Sequence, residues 1–207
     1  MEKYLNSGGK KMKNTMGKIK LSFNSPVILG FTFICLAVLL LDKLTGGWTT
    51  NNLFSVYNSS FLNPLTYIRF FGHVLGHAGW DHFIGNIMLL LIVGPLLEEK
   101  YGSLNILFVI LSTALVTGLV HFFLFPNVHL LGASGVVFAF ILLAPFTSLK
   151  EKTIPVTVIL VAIIYIGEQI YTGITVNDNI SHLTHILGGF VGSGLGFVMH
   201  KNKMNKY

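Results

Sequence analysis

The residues able to do chemistry are polar side chains set within long apolar runs. His82 and Asn86 stand four positions apart, one helical turn, and therefore share a face. Ser134 lies in Gly132-Ala133-Ser134-Gly135, where flanking glycines allow close backbone approach and a tight start to a helix. Free backbone N–H groups at such a start favour negative charge and can stabilise an oxyanion. A third group, His182 and His185, precedes Gly188, Gly192 and Gly196. That stripe recurs every fourth residue and lets another helix pack closely, with Gly132 and Gly135 as the matching small surface. If the two segments meet, the Ser134 hydroxyl comes within hydrogen-bond reach of the His185 imidazole. A serine is a poor nucleophile until a neighbouring base takes its proton, so the chemistry on offer is acyl transfer. Each feature also has a plainer use. A lone serine between glycines serves helix packing, and a His82–Asn86 pair can bridge two helices for about 1 kcal/mol. His121, His129 and His200 fall at segment ends or in short connections and read as incidental.

Such groups need a scaffold, and composition says which kind. Of 207 residues, 52% are hydrophobic and 11% charged, with mean hydropathy +0.69. A soluble domain carries about 25% charged residues, so a soluble enzyme is excluded, and abundant apolar surface excludes a disordered chain. The net charge of +6 does not point to nucleic acid, because six lysines lie in the first twenty residues and three in the last seven. The single cysteine, Cys35, cannot form an internal disulfide. A bilayer core needs about 20 helical residues. Six apolar stretches qualify, at about 26–43, 82–97, 104–125, 130–147, 153–171 and 180–199. The second and fourth read as short and rich in glycine or polar residues, hence shielded by neighbours. With the N-terminus inside, twelve of the fourteen Lys and Arg fall on inner segments, leaving only Lys43 and Arg69 outside. The expected fold is therefore an all-α polytopic membrane protein: six transmembrane helices in a compact bundle, both termini cytoplasmic. Residues 26–199 form the membrane domain, between basic tails at 1–25 and 200–207. The connection from Leu44 to Asp81 forms a large outer first loop lying partly in the membrane interface. Trp48, Phe54, Phe61, Phe70 and Phe71 are its expected anchors.

The ordered set of motifs resembles the rhomboid intramembrane serine proteases of the basic six-span bacterial type. It runs from about Arg69 to Gly196: His73, His77, His82 and Asn86, then Gly94, Glu98 and Gly102, then Gly-x-Ser-Gly at 132–135 and His-x-x-Gly-x-x-x-Gly at 185–192. The resemblance implies Ser134 as nucleophile and His185 as its general base. It implies an oxyanion site of His82, Asn86 and the Ser134 backbone N–H. Gly132, Gly135, Gly188 and Gly192 support the helix contact, Glu98 organises the inner end of the second span, and Arg69 belongs to the outer loop. His73 and His77 read as loop organisers. His182, three residues before His185, competes for the role of base, and the glycine three residues after His185 favours the latter. Ile68 stands where an aromatic often precedes the arginine. Phe138 replaces a tyrosine of some members and keeps a ring able to stack on His185.

The implied activity is endopeptidase cleavage of transmembrane segments in other membrane proteins, at helices that small and helix-breaking residues let unwind. Partners are such substrates and the lipid bilayer, without nucleic acid. The expected location is a bacterial plasma membrane, multi-pass. No cofactor and no metal are expected, since no His-Glu-x-x-His occurs. The rivals are a non-catalytic relative, which should lack Ser134 or His185, and a histidine-rich metal transporter or metalloenzyme. Glu168, near the end of the fifth stretch, is an intramembrane acid without an assigned role.

Overall fold

A computed structural model describes residues 23–148 and 179–204, and between them 156, 157, 159–161, 163, 164, 167 and 171. The expected fifth span, Glu168 and both basic tails lie largely or wholly outside the described residues. In chain order the helices are α1 (Pro26–Leu44), α2 (Trp48–Leu53), α3 (Pro64–Gly72), α4 (Trp80–Tyr101), α5 (Ser103–Leu124), α6 (Ser134–Leu143) and α7 (Asn179–Met204). Two 3-10 turns, His73–Leu75 and Ala144–Ser148, complete the described elements. The described residues are thus helical, without strands beyond one antiparallel bridge between Val56 and Leu130. Among the described residues four helical segments are long and apolar enough to cross a membrane: Pro26–Leu44, Trp80–Tyr101, Ser103–Leu124 and His182–Met199.

Local chemistry explains where these helices begin and end. Pro26 opens α1, where its missing N–H is no loss. The next two N–H groups, of Val27 and Ile28, donate to the Glu98 carboxylate at 3.0 Å each. A carboxylate at a helix N-terminus satisfies orphan donors and meets the positive end of the dipole. The Asn63 side chain caps α3 by accepting from Leu65 N at 3.0 Å. Gly102, at φ +87°, ends α4 and lets α5 start at the next residue.

The second expected span requires correction. It is not short: α4 runs 22 residues, through Pro95, and exposes Met88, Ile92 and Leu96. Its polar ends, Asp81 and Glu98-Glu99-Lys100, hid its length from a purely apolar reading. The fourth is short as expected. Ser134–Thr147 is too brief to qualify as a span by itself, and most of α6 is buried among its neighbours. Helix α6 is the centre of the core. Val136, Ala139, Phe140 and Leu143 pack with Ile28, Leu39, Leu90 and Ile106 from α1, α4 and α5.

The connection from Leu44 to Asp81, expected as a large outer loop, carries α2, α3 and a 3-10 turn. Trp48, Phe61 and Phe71 are exposed as expected of interface anchors. Phe70 is not: it is buried against Val56 and Phe122, because α3 lies across the C-terminal end of α5.

Candidate active site

Ser134 is the first residue of α6, and the backbone before it is held by polar contacts. Gly132 adopts φ +125°, a conformation that side-chain-bearing residues rarely take. Its N–H donates to the His73 carbonyl at 2.9 Å. A Cβ placed on Gly132 would lie 2.7 Å from both Cε1 and Nε2 of His82 and 3.8 Å from Asn86 Nδ2. Both α4 side chains therefore face the backbone two residues before Ser134, as their one-turn spacing requires. This corrects the expected use of Gly132. It meets α4, not the glycine stripe of the last helix.

The hydrogen bonds assign the protons. Ala78 N–H donates to His82 Nδ1 at 3.4 Å, so a neutral His82 carries its proton on Nε2, the atom turned to Gly132. Asn86 Nδ2 is buried and has no hydrogen-bond partner among the described residues. Two donors thus converge on one patch of backbone. A buried donor left unpaired costs about 1–3 kcal/mol, so such an arrangement is suited to a charge that appears only during reaction.

His185 comes to this region on α7. Its ring centroid lies 4.3 Å from that of Phe138, one turn along α6 from Ser134. The helices touch through backbone. A Cβ on Gly188 would collide with the Gly135 carbonyl, and one on Gly192 with the Ala139 carbonyl. The position of a Gly135 Cβ is 3.8 Å from the Thr184 carbonyl. The stretch Thr184–Gly188 therefore runs beside Ser134–Phe138. His182 stands nearer the start of α7, its ring 6.3 Å from that of His185 and nearly perpendicular.

His73 and His77 adjoin these groups, His73 through the Gly132 backbone and His77 through the His82 ring. The Nδ1–H of His73 donates to the Arg69 carbonyl at 3.2 Å, and Nε2 meets the Thr117 hydroxyl at 3.2 Å. His77 donates from Nδ1 to the Leu75 carbonyl at 3.2 Å and packs edge-on against the His82 ring at 5.1 Å. Burial pushes both imidazoles down from 6.5 to about 4, so they are neutral at pH 7. A cavity of about 400 Å³ opens beside Ala78 and Leu131, between the end of α1 and α2, with Asp42, Lys43, Thr50 and Asn51 on its wall.

Two expected residues lie away from these groups. Arg69 is buried in the outer connection, donating from Nε to the Asn52 carbonyl at 2.8 Å and lying 4.4 Å above the Tyr57 ring. Glu98 sits at the other end of α4, where it also accepts from the Ser103 hydroxyl at 2.6 Å. Thr113 and Thr117 were missed. The methyl carbon of Thr117 is 3.5 Å from where a Gly135 Cβ would be, and its hydroxyl meets His73. Their signal was available: Thr113, Thr117 and His121 recur every fourth residue of a largely apolar helix. Among the described residues no three His, Cys, Asp or Glu side chains gather as a metal site would need.

A rhomboid domain family matches residues 64–202, and thus includes every group just described from Arg69 to Gly196. Rhomboid-related protein 2 of Mus musculus is 29% identical over 158 residues, covering 66% of this chain and 52% of the relative. Rhomboid-related protein 1 of Caenorhabditis elegans is 30% identical over 143 residues, covering 65% and 40%. Rhomboid protease GluP of Bacillus subtilis (strain 168) is 28% identical over 172 residues, covering 77% and 33%. The chain thus spans between a third and about half of the length of these relatives.

Proposed function

The chain belongs to the rhomboid family, and from that membership we propose that it is an intramembrane serine endopeptidase acting through a Ser134–His185 dyad. It is an integral, multi-pass membrane protein by family and by its several apolar helices. The finer reading is the basic six-span bacterial type in a plasma membrane, with 26–199 as the membrane domain and cytoplasmic basic tails at 1–25 and 200–207.

His185 takes the proton from Ser134, whose oxygen adds to the scissile carbonyl. The oxyanion is held by the Ser134 backbone N–H, Asn86 Nδ2 and His82 Nε2. His185 then protonates the leaving amine as the C–N bond breaks, and water hydrolyses the acyl-enzyme. No carboxylate is assigned to orient His185. The ring of Phe138 supports it instead. The observation that carries the reading is the pair of α4 donors turned to Gly132, one of them buried and unpaired, two residues from Ser134. The polar-walled cavity beside Ala78 and Leu131, one residue before Gly132, supports a supply of water from that side. Substrates are membrane proteins whose transmembrane helix unwinds readily, since a helix hides its carbonyls.

Incubation of purified protein with a panel of single-span membrane proteins tests this. Wild type cleaves at least one; Ser134→Ala and His185→Ala lose activity by about 10⁴-fold or more while keeping the melting temperature, and the double variant is no worse. A fluorophosphonate labels wild type at Ser134. Cleavage by Ser134→Ala ends the serine-protease reading, and a dead His182→Ala beside an active His185→Ala transfers the base to His182.

A further inference from the structure

The segment that delivers Ser134 to the site is tied to the outer connection by a clasp centred on His129, a residue without an assigned role. Two backbone hydrogen bonds join Val56 and Leu130, at 2.9 and 3.0 Å. One residue before Leu130, the His129 ring stacks on Tyr57, with centroids 4.2 Å apart and planes 22° from parallel. Its Nδ1 lies 3.0 Å from the Ser55 hydroxyl. That hydroxyl donates to the Asn51 carbonyl at 3.1 Å, so it accepts from His129 and Nδ1 carries the proton. Tyr57 is itself held by the buried Arg69 guanidinium, 4.4 Å from its ring centre. On the far side of the segment, buried His121 donates from Nε2 to the Val128 carbonyl at 2.8 Å. Three consecutive residues, Val128, His129 and Leu130, are therefore each tied to a different partner. Gly132 and Ser134 follow at once, and Gly132 N–H to the His73 carbonyl is a further tie.

We propose that His129 is a positioning residue: by clasping Tyr57 and Ser55 it holds the 128–132 segment in the register that places Gly132 against His82 and Ser134 at the start of α6. The inference rests on the protease reading for its kinetic consequence, but not for its geometry. His129 does not touch the proposed reacting atoms. It acts through two or three residues of backbone, and misplacement of a reacting group by even 1 Å can slow a reaction about a hundredfold. The stack and the hydrogen bond are separable. His129→Phe keeps the ring and loses the donor, whereas His129→Asn keeps a donor and loses the stack.

The test uses the full chain in detergent micelles, with two readouts for wild type, His129→Ala, His129→Phe and His129→Asn. The first is amide hydrogen exchange at Leu130 and Gly132, which needs no activity. His129→Ala should exchange about tenfold faster at both, with Phe and Asn between it and wild type. The second is kinetics well below the melting temperature. His129→Ala should lose about tenfold in kcat with KM within about twofold, and its Ser134 should react about tenfold more slowly with fluorophosphonate. Partial recovery in Phe and Asn is expected there too. Unchanged exchange at Gly132 overturns the proposal, as does faster exchange with unchanged kcat. Equal losses in all three variants also overturn it, since they would mark a general structural defect. If Ser134→Ala still cleaves in parallel, the protease reading falls, and the exchange series still decides whether His129 holds the segment.

Discussion

The α6–α7 seam and the outer end of α4 lie on either side of Ser134, and they are built on opposite rules. In the seam, Gly188 and Gly192 stand against the carbonyls of Gly135 and Ala139, and Gly196 against Leu143 and Phe146. At Gly188 and Gly192 backbone meets backbone, and there is no room for a methyl group. At the outer end of α4 the side chains are polar, and two buried atoms, Asn86 Nδ2 and His77 Nε2, lack a partner among the described residues. Packing is complete in one region and hydrogen bonding is incomplete in the other. A buried unpaired group costs stability, and the proposed oxyanion role of Asn86 is a use that would offset that cost.

The sharpest way to break this contrast is to fill the seam. Gly192→Val puts carbon onto the Ala139 carbonyl, which a rigid helix cannot move aside, so a loss of about 4 kcal/mol or more is expected. The variant should not be recovered as a folded monodisperse species. Gly194, on the same helix but with nothing within 4 Å of its Cβ position, is the control. Gly194→Ala should melt at or slightly above the wild-type temperature, and equal damage from both would remove the seam argument.

Acid should find the polar region and leave the seam alone. His73 and His77 are held at about 4 by burial, against an ordinary 6.5. Between those values the unfolded chain binds a proton at each site and the folded chain does not, so stability falls as pH drops from 6.5 to 4. Above 6.5 neither contributes a slope. The limit is about 3 kcal/mol for each histidine. Melting temperature measured from pH 7 to 4 should fall steeply in wild type and in Gly194→Ala, and less steeply in His77→Asn. A flat profile would show that these histidines are not buried neutral.

Asn86→Ala should separate function from stability within the polar region. Losing one of three oxyanion donors should lower kcat about 10²-fold, near 2.7 kcal/mol, with KM little changed. Because Nδ2 has no partner among the described residues, removing it should leave the melting temperature unchanged or raise it. Unchanged kcat with a large drop in melting temperature would make Asn86 a packing residue. The smallest effect belongs to Glu98, at the far end of the same helix. Glu98→Gln weakens acceptance from Val27 N and Ile28 N, at a cost of about 1–2 kcal/mol. Folded Glu98→Gln should turn over at the wild-type rate, and a kcat loss matching that of Asn86→Ala would mean the contrast is not confined to the outer end.

The features legible in the amino-acid sequence are those a helical period places without help. His82 and Asn86 share a face because they are four apart, and Gly188, Gly192 and Gly196 form a stripe for the same reason. Lysines gathered at the ends and scarce charge between them determined the membrane class, because a bilayer rejects charge wherever it falls. The partner of each face was decided only by the tertiary structure. Gly132 was read as part of the seam with the last helix but meets His82, and Phe70 was read as an anchor but fills a core with Val56 and Phe122. His121 and His129 looked incidental, and they hold the segment before Ser134. Thr117 was overlooked because its partner, His73, is 44 residues away. Contacts across such distances depend on the path of the outer connection over the bundle, and no local repeat encodes that path.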